Sequence, residues 1–230
     1  MTAPGHAPAA LAAAYQALTA TVAPLTDRDL LRPTRCHGWV IADVLFHLLG
    51  DAQRALVAFA SPTAGPSDVD HVSYWSAYPG SGDSAAGQRH AWWVRRSASA
   101  FDRPSSIVRR WAETAPAAAR AAAAADPSTF VATHGHVLSV ADLVATLITE
   151  AVVHHLDLSV DLHSPAPSPP PPAALAVAVS TMDGLLSDEA VRPTSWSPTE
   201  YVLKGSGREP LTPRDRVELG EAAGWFPLLT

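Results

Sequence analysis

Apolar residues recur at intervals of three and four over most of the chain, and the segments they mark read as helices. A first helix is expected over 9–22, with Pro24 beyond its end. A connector containing Pro33 follows over 27–38. A second helix is expected over 40–60, where Ile41, Val44, Leu45, Leu48 and Leu49 form one apolar stripe. The segment 61–82 is rich in Pro, Gly, Ser and Asp and reads as a long loop, a length often kept for lids and binding loops.

From 84 to 125 the pattern is again helical, with Pro104 between Phe101 and Ile107. Either one helix ends near Phe101 and another begins with Pro104 in its first turn, or a single helix kinks there. Pro116 is expected to interrupt the pattern again. After a turn over 126–135, a strong helix is expected over 139–160, with Ser139 as N-cap and Asp142 placing negative charge in its first turn. The segment SPAPSPPPP at 164–172 reads as an extended linker, because six of its nine residues are proline. Beyond it the pattern predicts a helix over 173–186, a short strand YVLKG over 201–205 and a last helix over 213–223. The organisation expected is a bundle over 1–163, the linker 164–172, and a small extension 173–230 packed on the bundle, too short for a domain of its own.

Composition strengthens the helical reading, since alanine dominates and only 17% of residues are charged. The net charge of −6 comes without any basic stripe, which argues against nucleic acid as a partner. No apolar run approaches the roughly 20 residues that cross a bilayer. No Lys or Arg precedes Arg28, so a secretory signal peptide lacks its positive start. The single cysteine, Cys36, excludes an internal disulfide and fits a reducing compartment. These features predict a cytoplasmic, mainly all-α protein acting on a small molecule, as a monomer or homodimer, with no membrane partner.

Ten histidines raise the question of metal. Glu150 and His154 stand four apart on the helix expected over 139–160, a spacing that sets both on one face and suits two ligands of one ion. Asp157, three residues further, shares that side and is a candidate to orient His154. His47 lies beside the apolar stripe of the second helix, so two helices offer inward-looking ligands. On spacing alone, an ordinary surface pair is the better account of Glu150 and His154. His37, His71, His90, His155 and His163 read as surface or loop residues, and His134 and His136 as solvated imidazoles, with ligation from an extended segment as the alternative. Cys36 reads as a half-buried, inert thiol without a partner. Trp39, Trp92, Trp93 and Trp111 read as core fillers or as the lining of a pocket. No GxSxG turn, GxGxxG or phosphate loop is present.

The segments CHGWVIADVLFHLL (36–49) and TEAVVHHLDL (149–158) together resemble the DinB/YfiT-like superfamily, and within it the mycothiol-dependent maleylpyruvate isomerase N-terminal family of actinobacteria. The first carries Gly38, Trp39, Asp43 and His47; the second has the pattern E-x-x-x-H-x-x-D in Glu150, His154 and Asp157. The tail LKGSGREPLTPRDRVELGEAAGWFPLL resembles endings common in the group. The resemblance implies a DinB-like four-helix bundle with a short C-terminal helical and strand appendage. It also implies a divalent metal, zinc first, held by His47, Glu150 and His154, and a low-molecular-weight thiol, mycothiol, as co-substrate. Where the family often has Thr after the Trp, this chain has Val40, which cannot cap the helix with its side chain. The function expected is a metal- and thiol-dependent transferase or isomerase acting on a small electrophile. The alternatives are a metal-dependent hydrolase and a non-catalytic binding or resistance protein.

Overall fold

The structure, a computed structural model, describes residues 7–77, 85–160, 162, 167–186 and 190–229. Its architecture is mainly α. Four helices form the bundle: α1 (Ala7–Val22), α2 (Ile41–Ala60), α5 (Ser105–Ala124) and α6 (Val140–Leu158). Each packs against two others in the ring order α1, α5, α2, α6, so α2 and α6 are neighbours and α1 and α2 lie across the diagonal. The short α3 (Ser73–Ala77) precedes α4 (Ala85–Ala98), which leans on α2. The C-terminal helices are α7 (Pro172–Leu186), α8 (Pro198–Gly205) and α9 (Pro213–Leu219). Of these, α7 packs on α6 and α1, and α8 on α7 and α6. Among the described residues no helix is long and apolar enough to cross a membrane.

Local chemistry explains the helix ends that matter. Ser139 caps α6 by accepting the Asp142 N–H at 3.0 Å. At the start of α2, Val40 supplies no side-chain cap, and the Asp43 carboxylate instead accepts the Val40 N–H at 3.0 Å. The chain does break between α4 and α5, with Pro104 immediately before the first residue of α5. Pro116, by contrast, sits inside α5 without ending it. Both Pro116 and Ala112, whose carbonyl loses its helical partner there, are exposed, so the break in the ladder falls on the outer side of the helix while the stripe from Ile107 to Ala122 stays buried.

Other local expectations are corrected. The segment 201–205 is not a strand but most of α8, because Ser197 caps the helix at Glu200 N (3.2 Å) and Pro198 stands in its first turn. The expected last helix is shorter: α9 stops at Leu219, where Gly220 turns at φ 58°, and a 3-10 segment Gly220–Trp225 follows. The turn over 126–135 contains instead the first strand of a hairpin, β1 (Phe130–Thr133), paired antiparallel with β2 (His136–Ser139). His134 and Gly135, both at positive φ (50° and 85°), form its two-residue loop. Within 61–82 lies α3, opened by Asp70 Oδ1 accepting the N–H groups of Val72 and Ser73. Residues 78–84 and 164–166, on which parts of the loop, the start of the fourth helix and the linker fall, lie outside the described residues.

Candidate metal centre

The centre is built where α2 meets α6. His154 faces inward from the most buried part of α6, and its Nε2 lies 3.0 Å from Glu150 Oε2 one turn earlier. From α2, His47 Nε2 reaches the same Glu150 oxygen at 3.5 Å. The two imidazole rings stand nearly perpendicular, 4.9 Å between centroids and 81° between planes. One donor atom from each of His47, Glu150 and His154 lies within 4.8 Å of the others.

This set fits a divalent ion on the chemistry of its donors. A zinc ion bonds imidazole nitrogen and carboxylate oxygen at about 2.0–2.2 Å, so ligand atoms a few ångströms apart can share one. The electrostatics agree. Burial alone would lower the His154 pKa, but Cys36, Asp157 and Glu150 outweigh it and hold the imidazole well above the usual histidine range. Burial alone would raise the Glu150 carboxyl, but hydrogen bonds from His154 and His47 hold it well below the carboxylate norm. The Glu150 carboxylate therefore keeps its negative charge between the two imidazoles.

Asp51, one turn after His47, adds an uncompensated acceptor. Its Oδ1 takes a hydrogen bond from Arg54 at 3.2 Å, whereas Oδ2 is buried without a hydrogen-bond partner, 3.4 Å from His47 Nε2. Burial raises its pKa despite His47 nearby. One His47 nitrogen faces two carboxylate oxygens and cannot serve both well.

Asp157 holds the far side of His154. Its Oδ2 lies 2.9 Å from His154 Nδ1, and because a carboxylate only accepts, that nitrogen is the donor. Cys36 is not without partners: its thiol donates to the same Asp157 oxygen at 3.0 Å, and Arg208 lies against both. Cys36, His154 and Asp157 also bring donor atoms within 4.8 Å of one another. Arg208 sets a guanidinium against that second group, which opposes a second cation there.

Beside the first donor set is a cavity of about 30 Å³, room for a small group rather than a whole substrate. His47, Glu150, Asp51, Arg54, Tyr74 and His134 are among its walls. Desolvation lowers His134 to about 4, so that imidazole is neutral. A larger groove of about 1240 Å³ along α1, α5, α7 and the start of α6 is lined mostly by alanine and touches none of the three donors.

Of the residues singled out from sequence, the structure brings His47, Glu150, His154 and Asp157 together. Neither His134 nor His136 joins a metal-sized group among the described residues, and His136 is tied to Asp68 at 3.0 Å. The Trp39 ring is tilted against that of His47 (5.5 Å between centroids, 56° between planes) and so borders the centre. Two histidines expected at the surface or in loops lie on helices and face inward. His155 is 1% exposed, its Nε2 3.3 Å from Thr21 Oγ1 on α1. His90 is half-buried with its ring 5.5 Å from that of His47. His71 is half-buried against Asp142 at 3.0 Å, His37 is exposed, and His163 lies outside the described residues. Sequence reasoning missed Asp51, Arg54, His90 and Arg208. Asp51 carried a usable signal, the four-residue spacing from His47; for Arg208 the signal was only its place in the tail that resembles family endings.

A family model described as the mycothiol maleylpyruvate isomerase N-terminal domain matches residues 11–159. No curated protein and no solved structure matches the chain.

Proposed function

Because the chain belongs to the mycothiol maleylpyruvate isomerase N-terminal domain family, we propose that it is a metal-dependent enzyme that uses a low-molecular-weight thiol to transfer or isomerise a small electrophile. Mycothiol is the thiol the family points to, and zinc is the ion that suits two imidazoles and a carboxylate. The observation that carries this reading is the convergence of His47, Glu150 and His154 from two helices, a group of three donors among the described residues. Catalytic zinc sites keep such an open position. An ion bound there would supply Lewis acidity and a place where a thiol is held deprotonated.

The chain's own residues account for the rest. Asp157 accepts the Nδ1 proton of His154 and so keeps Nε2 facing Glu150 and His47. Arg54, steadied by Asp51, sets a positive charge on the cavity wall, suited to a substrate carboxylate. Tyr74, from the long segment between α2 and α4, closes another side.

Metal content measured by plasma mass spectrometry tests the reading. Wild type is expected to carry about one zinc per chain, and His154→Ala and Glu150→Ala to lose it. Zinc-loaded wild type should then isomerise or conjugate maleylpyruvate-like electrophiles only when a thiol is supplied. Thiol-independent turnover would favour hydrolysis instead, and a wild type that takes up no zinc would sink the proposal.

A further inference from the structure

The metal reading explains both nitrogens of His154 but not what holds Asp157, whose side chain is wholly buried. A carboxylate in that position is costly unless charge and hydrogen bonds compensate it. The compensation comes from Arg208, outside the family-matched segment. Helix α8 ends in a left-handed turn at Gly207 (φ 71°), and the Arg208 N–H bonds back to the Leu203 carbonyl at 2.8 Å. That Schellman-type closure fixes where Arg208 leaves the helix. Its Nε donates to Asp157 Oδ1 and its Nη2 to Oδ2, both at 3.1 Å, a two-pronged fork. Nη1 donates to the Ser206 carbonyl at 2.8 Å, and Nη2 also lies 3.5 Å from Cys36 Sγ. The fork sets the plane of the carboxylate, and its Oδ2 then receives His154 Nδ1 at 2.9 Å and the Cys36 thiol at 3.0 Å.

We infer that Arg208 is a positioning residue of the centre: it locks Asp157, Asp157 locks the His154 ring, and the C-terminal extension is thereby part of the site. The consequence for metal affinity rests on the proposed function; the locking of the ring does not.

The test uses the full chain as wild type, Arg208→Met and Arg208→Lys, with two readouts. In metal-free protein labelled with ¹⁵N-histidine, the His154 Nδ1–H should give a proton resonance protected from solvent exchange. Zinc affinity is read by competition with a chromogenic chelator. Arg208→Met is expected to lose the protected resonance and to bind zinc about 10–100-fold more weakly. Arg208→Lys, which keeps the charge without the fork, should fall between. If Arg208→Met retains both the resonance and wild-type affinity, the inference is overturned. If wild type binds no zinc, the metal reading fails while the resonance still decides the role of Arg208, its loss supporting that role and its retention ending it. Should Arg208→Met not fold, Arg208→Lys decides alone, and wild-type behaviour on both readouts overturns the fork.

Discussion

In the C-terminal extension Lys204 Nζ reaches Glu200 Oε1 and Asp215 Oδ2, each at 2.6 Å, and lies 4.5 Å above the Trp196 ring. Asp215 in turn accepts from Trp196 Nε1 at 2.7 Å and from the Thr212 N–H at 2.8 Å. In the bundle, His47 Nε2 stands 3.4 Å from Asp51 and 3.5 Å from Glu150, and Asp51 Oδ2 is left without a hydrogen-bond partner. Both clusters are buried and charged, yet the first is closed on itself while the second has more acceptors than the chain supplies donors. A closed network of this kind fixes a fold; an open one beside a cavity is arranged for something that arrives from outside.

On that contrast, removing a charge should have opposite effects in the two places. The largest effect is expected at Lys204→Met, which strands the Asp215 carboxylate and should cost about 3 kcal/mol in urea unfolding; a neutral result would mean the closed cluster contributes little. Next, zinc at a hundredfold excess over its Kd should stabilise wild type by about 2.7 kcal/mol. The same zinc should leave the melting temperature of His154→Ala unmoved.

A smaller effect separates the states by pH. In the metal-free protein the His154 pKa is raised, so its stabilisation is complete below the unfolded value and is lost as pH rises through the folded one. Zinc must displace that proton. Affinity titrated by calorimetry should therefore climb about tenfold per pH unit below the raised value and level off above it. A flat profile would place the ion elsewhere. The smallest effect is at Asp51, where burial raises the carboxyl pKa and charge at neutral pH is a burden. Asp51→Asn should stabilise the metal-free protein by roughly 1 kcal/mol. A loss of stability there would show that Asp51 is as well compensated as Asp215.

Much of the bundle was legible in the chain because its evidence is local. The stripe Ile41 to Leu49, the Ser139 cap and the four-residue spacing of Glu150 and His154 each act within a turn or two of helix. The errors were local rules met by a competing one. YVLKG has strand-like residues, but Ser197, Pro198 and the Glu200–Lys204 pair start a helix before them. The hairpin was hidden because its strands are only four residues long. His155 was misplaced because helical spacing does not say which faces of α6 are covered, and α6 is covered nearly all round by α1, α2 and α7.

The sequence by itself determined that α2 and α6 form, and that each carries polar side chains at intervals able to face one way. Their convergence needed the ring order that makes those helices neighbours. Only the tertiary structure decided that Asp157 is wholly buried, that Cys36 has partners, and that Arg208, 51 residues further along the chain, reaches back to them. No local propensity encodes such a contact. It follows from burial, which makes an unpaired carboxylate too costly to leave, and from the turn after α8, which sets the Arg208 guanidinium in place.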